Sequence, residues 1–180
     1  MCRFWLGASA VLVFVRFGVA ADAWGSAVNG VKMGIAISST PNSEIVVTVQ
    51  NVDDKPLLLP FGALIGSRLY DFGFQLIGTV PSGEDRRVIY TGGPGVVGGR
   101  LDPWVLPLIP NAGYTVKIPL ARFYVLYDSE KLETFLKKRC QVRVELDDEN
   151  PICPLYGYPN PNMIPCWRGK IVSNVLQLPN

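Results

Sequence analysis

The chain has 180 residues, of which 48% are hydrophobic and 18% charged, and it contains no histidine. That is enough for one domain with its own core, too apolar for a disordered chain, and too short for the large enzyme barrels. The missing imidazole excludes Ser-His-Asp and Cys-His catalysis and every histidine-based zinc site. With 17 Lys+Arg against 15 Asp+Glu, the formal charge of +2 is not a nucleic-acid footprint.

Residues 1–23 read as an export signal. Arg3 is the basic start, Phe4 to Val15 is an apolar run, and Ala20, Ala21 and Ala23 supply small residues for cleavage after Ala20 or Ala23. Arg16 stops the run at about twelve residues, too few for the roughly twenty of a membrane span. The expectation is therefore an exported protein, periplasmic or secreted, with no membrane span once the signal is removed. Its folded domain is 24–180, with 15 cations against 14 acids.

From residue 31 onward the dominant period is two. Val31, Met33, Ile35 and Ile37 alternate with Lys32, Gly34, Ala36 and Ser38, the pattern of a half-buried strand. Ile45 to Gln50 is a β-branched strand between turn residues. Leu57 to Leu59 reads as a short strand between Pro56 and Pro60. Tyr70, Phe72, Phe74 and Leu76 read as one continuous strand, and Arg87 to Thr91 follows the turn at Pro81-Ser82-Gly83. Gly93-Pro94-Gly95-Val96-Val97-Gly98 matches a dinucleotide fingerprint in letters only. The helix that would have to follow it is forbidden by Pro103, Pro107 and Pro110, so it reads as a connection between strands.

Tyr114 to Leu120 and Val142 to Leu146 alternate again, and Gly169 to Leu178 closes the chain as a last strand. One segment breaks the period. Ser129 to Lys138 carries Leu132, Phe135 and Leu136 at i, i+3 and i+4, which predicts a helix capped by Asp128 or Ser129. Seven to eight short strands with one inserted helix predict an all-β, antiparallel sandwich. Asp147-Asp148-Glu149-Asn150 lacks the spacing and glycine of a calcium loop and reads as a solvated turn.

Cys140, Cys153 and Cys166 remain in the mature chain, so one pair can close in an oxidising compartment. Cys153 and Cys166 flank a proline-rich segment with little regular backbone bonding and are the expected pair. Closing that loop is worth about 3 kcal/mol on the chain-entropy model. Cys140, on the apolar face of a strand, reads as a core residue.

The cysteine-bearing segment 151–167 holds Tyr156, Tyr158, Met163 and Trp167, the candidate binding surface, on a backbone unsuited to a sheet interior. Two readings stand side by side: a recognition surface for a protein or a carbohydrate, or a plug over the end of the sandwich. Carboxylate-pair hydrolysis without histidine would have to use Asp71 and Asp102, which read more simply as partners of arginines or turn residues. No residue is assigned to catalysis, to a cofactor or to a metal.

Three stretches carry a family resemblance: Ile45 to Pro60, with Asn51 and Lys55-Pro56; Ser67-Arg68-Leu69-Tyr70-Asp71-Phe72-Gly73-Phe74; and Leu108-Ile109-Pro110-Asn111-Ala112-Gly113-Tyr114, leading into Lys117-Ile118-Pro119-Leu120. Over roughly residues 31–146 the chain resembles the bacterial intracellular proteinase inhibitor family. The resemblance implies an immunoglobulin-like β-sandwich and an inhibitor-like binding role, here in an exported form. Val88 to Gly93 departs from the aromatic stretch such domains carry, and the helix and cysteine-bearing tail are additions. No reactive residue is carried over. The resulting expectation is a non-enzymatic module that binds another envelope or extracellular protein, with a carbohydrate-binding module as the alternative.

Overall fold

The computed structural model describes residues 24–38, 43–65, 68–91, 101–126, 129–148 and 164–177, with 65, 68–71 and 101 described by backbone only. In chain order the strands are β1 (Val31–Ser38), β2 (Glu44–Asn51), β3 (Leu57–Ile65), β4 (Arg68–Phe72), β5 (Phe74–Thr79), β6 (Asp85–Tyr90), β7 (Leu101–Leu108) and β8 (Gly113–Pro119). A 3-10 turn at Leu120–Arg122 leads to β9 (Phe123–Val125), β10 (Glu130–Lys131), helix α1 (Leu132–Lys137), β11 (Gln141–Asp147), β12 (Lys170–Val172) and β13 (Leu176–Gln177). Every strand pairing is antiparallel. They form three sheets: β1-β2-β8, β4-β3-β7, and β10-β9-β6-β5-β11-β12 with β13 also on β11. The fold is all-β and sandwich-like, with one short helix.

The alternation read in the sequence is the core. Val31, Met33 and Ile35 of β1 are buried, as are Ile45, Val47 and Val49 of β2 and Val142, Val144 and Leu146 of β11. Seven rings from seven strands link the sheets, with Phe61 against Phe74, Trp104 and Tyr114, and Phe72 against Phe74, Tyr90 and Trp104. Phe123 completes the set through Tyr90. Edge and tilted packing at these separations adds to the area each ring buries.

The expected single strand from Tyr70 to Leu76 is two strands in different sheets. β4 pairs with β3, whereas β5 pairs with β6 and β11. The chain changes sheet at Gly73, whose N–H donates to the carbonyl of Phe61 at 2.9 Å. A Cβ there would lie 3.1 Å from both Phe61 C and Gly62 N. Opposite, the ladder of β3 shifts register between Pro60 and Gly62, so the fully buried Phe61 sits in a bulge that bends the strand.

β3 also runs past Pro60 instead of ending there, and β7 is a strand that contains Pro103 and Pro107. Leu58 gives its N–H to Pro165 O and its carbonyl to Trp167 N–H, so both groups face away from β7. Its partner Pro107 therefore stands at a pair that needs no N–H donor, the place a sheet tolerates proline.

The helix is shorter than Ser129 to Lys138. Glu130 and Lys131 are spent pairing with Val125 and Tyr124, and Ser129 turns with φ of 50°, so the helix starts after Lys131 without a side-chain cap. Leu132, Phe135 and Leu136 are buried as the spacing predicts. Phe135 sits on Gly78, where a Cβ would come within 2.7 Å of the ring.

Candidate functional site

One end of the sandwich gathers three turns and the stretch 164–168. The buried side chain of Asn51 ties the first two turns together. Its Nδ2 donates to Lys55 O at 2.8 Å and Leu108 O at 3.0 Å, and its Oδ1 accepts from Asp53 N–H at 2.9 Å. The Asn51 N–H goes to Ala112 O. An amide, with donors and an acceptor on one short arm, is the group that can bond carbonyls and an N–H at once. The turns at 52–56 and 109–112 therefore lie side by side.

The third turn is Val28 to Val31, closed by bonds in both directions between those two residues. Asn29 and Gly30 both have positive φ, 47° and 79°, as the favoured two-residue hairpin turn requires. Gly30 also makes room for Asp53, whose Cβ would lie 2.7 Å from a side chain at position 30, and its carbonyl accepts from Val52 N–H.

The stretch 164–168 docks on the part of β3 that β4 leaves unpaired, through a parallel bridge between Leu58 and Cys166. Trp167 fills the interior, 3% exposed, and its indole N–H donates to Val28 O at 2.9 Å. Asn29 Nδ2 reaches Arg168 O at 2.8 Å. These contacts enclose a cleft of about 320 Å³. Leu57 and Trp167 form its floor, Pro56 and Pro165 its walls with Cys166 beside them, and Asn29, Asp53, Lys55 and Arg168 its rim. Hydrogen bonding with Asp54, helped by the charge of Lys55, holds the Asp53 carboxyl below the ordinary range, so it is ionised at neutral pH. Around the cleft, Val52 is 41% exposed, Ile164 42% and Ile109 66%.

The sequence-derived candidates divide accordingly. Trp167 is a core residue, not a surface ring; its indole sinks because burial of the ring and a partner for its N–H are both available inside. Cys153, Tyr156, Tyr158 and Met163 lie outside the described residues, as does the 93–98 glycine run. Cys140 is a free, buried thiol, pushed up by that burial, and Cys166 is disulfide-bonded, its partner outside the described residues. By register, Asp71 stands opposite Ala63 and Asp102 opposite Leu64, on the two strands that flank β3. Asp148 is not solvated but buried. Its Oδ2 has no hydrogen-bond partner among the described residues, and burial raises its carboxyl above the ordinary value despite the charge of Arg168. Glu149 and Asn150 lie outside the described residues.

The sequence reading passed over Asn29 and Gly30. The signal was present, because Asn-Gly before an alternating apolar run is the strongest short hairpin cue. Compared with protein-family models, with curated proteins and with solved structures, the chain matches none.

Proposed function

We propose that this chain is an exported, non-enzymatic binding module that docks another envelope or extracellular protein on the end built around Asn51. One observation carries the reading. Two turns from separate parts of the chain are pinned by a fully buried amide, and the third, Val28 to Val31, is tied to them through Val52 N–H and to the 164–168 stretch through Trp167 and Asn29. The surface they present is uncharged at Val52, Ile109 and Ile164 and charged at Asp53, Lys55 and Arg168. A hydrogen-bonded frame that presents exposed apolar side chains beside polar and charged ones is a composition found at protein-recognition patches. The resemblance to the proteinase inhibitor family agrees with such a role, inhibitor-like in action.

Pairing of Cys153 with Cys166 belongs to the same proposal. It is supported by Cys166 being disulfide-bonded while Cys140 is free, and by the place of Cys2 within the proposed signal. The bond would staple the docked stretch through an oxidising compartment.

Cross-linking pull-down from envelope extract tests the reading. The intact protein should retain a specific partner, and Ile109→Asp should reduce its recovery about tenfold or more, as hot-spot truncations do. A Glu133→Gln control, changed on the exposed face of α1, should leave recovery unaltered. Recovery of no partner, or of one indifferent to Ile109→Asp, would overturn the proposal.

A further inference from the structure

We infer that the cleft between the 52–56 turn and the 164–168 stretch receives an extended peptide segment that presents one aliphatic side chain beside a carboxylate. This rests on the binding-module reading above and names the chemistry of the partner at that surface. The volume, about 320 Å³, stands at the bottom of the roughly 300–1,000 Å³ range of ligand pockets, so it suits a side chain and not a large cofactor. Leu57 and Trp167, both nearly fully buried, give the floor no polar group for a sugar hydroxyl, while Pro56 and Pro165 make stiff, apolar walls. An aliphatic group entering there exchanges water contact for burial.

The rim supplies the second half of the selection. Lys55 is exposed, and its ammonium makes no hydrogen bond or ion pair among the described residues. Arg168 lines the same rim but already has a partner, and its charge acts on the buried Asp148 carboxyl. The Lys55 ammonium beside an apolar slot favours a carboxylate on the entering chain and disfavours a second ammonium. Asp53, held ionised, remains able to accept an N–H from the peptide backbone.

Three capped peptides test this directly: Ac-Ala-Leu-Glu-Ala-NH2 and its Gln and Lys counterparts, titrated to millimolar concentration into the intact, oxidised protein. The readout is backbone and indole NMR shifts. The Glu peptide should move the signals of Lys55, Leu57 and the Trp167 indole, and bind about fivefold more tightly than the Gln peptide, the size of one exposed ion pair. Lys55→Glu should erase that preference or turn it toward the Lys peptide, with the remaining spectrum unchanged. Silence from all three peptides, or equal shifts from the Glu and Lys peptides, would overturn the inference. A partner that is lost with Ile109→Asp but still bound by Lys55→Glu would overturn this inference alone and leave the binding-module reading intact.

Discussion

Two regions of this molecule are held by opposite means. At the cleft end, neutral hydrogen bonds from Asn51, Trp167 and Asn29 to backbone groups lock three turns and the 164–168 stretch. On the outer face of the seven-stranded sheet, charge does the holding. Arg143 bonds Asp85 at 2.7 Å, Glu145 at 2.9 Å and Thr79 at 3.0 Å, and Lys170 reaches Glu145 at 3.0 Å. In the first set the Asn51 and Trp167 bonds are buried or part-buried, where an unmade bond costs most, and only the Asn29 bond is exposed; the second set reaches solvent at Asp85 and Lys170, where an ion pair is worth least. The difference teaches that irregular backbone in a sheet protein can be fixed in place by neutral hydrogen bonds to its own carbonyls, where regular strands leave their outer face to charge.

The largest effect should come from Trp167→Ala, which empties a ring-sized space in the floor of the cleft and removes one of the two donors to Val28 O. We expect a loss of about 3–5 kcal/mol by denaturant unfolding. Trp167→Phe, which keeps a ring but not the donor, should recover most of it. If Trp167→Ala costs no more than a surface change, the buried-frame side of the contrast fails.

Asn51→Ala comes next. It removes two donors and one acceptor supplied by a fully buried side chain, for an expected cost of about 2–4 kcal/mol. Amide exchange should speed up at Asp53, whose N–H loses its partner. Protection unchanged at Asp53 would mean that the turn stands without the asparagine.

The smallest effect tests the charged face. Hydrogen bonds from Arg143 and Thr79 hold the Asp85 carboxyl down at about 2 from an ordinary 3.8. A depressed folded value stabilises above the unfolded value and is lost as pH falls through the folded one. The contribution should therefore be present at pH 4 and above and vanish between about pH 4 and pH 2. Because Asp85 is half exposed, its worth is discounted to about 0.2–1 kcal/mol, and salt should shrink it. Asp85→Asn should be less stable than the intact chain at pH 7 and equal to it near pH 2. A gap that persists at pH 2 would assign the effect to packing.

Local pattern reached far into the fold and only partly into the site. Strands β1, β8 and β11 were legible because a half-buried strand writes its two faces as alternating letters, β2 from its β-branched run between turns, and β6 from the turn that precedes it. The helical triple Leu132, Phe135 and Leu136 was legible for the matching reason at period 3.6. The switch at Gly73 was not, since alternation runs unbroken from Tyr70 to Leu76 and says nothing about which sheet each half joins. Pro103 and Pro107 forbade a helix but did not reveal β7, because whether a proline nitrogen faces a ladder or a free edge depends on the neighbouring strand. Asn51 looked like any turn residue beside an acidic pair, and its three bonds exist only once residues 55 and 108 are brought to it.

The sequence by itself determined the class of the protein: side-chain alternation, glycine and proline punctuation and the absence of histidine are properties of the chain that solvent reads locally. Only the tertiary structure decided that Trp167 is buried, that Asn51 bridges two turns, and that Lys55 and Arg168 share one rim. Burial and hydrogen-bond partnership are relations between distant segments, and their free energy appears only when those segments exclude water together.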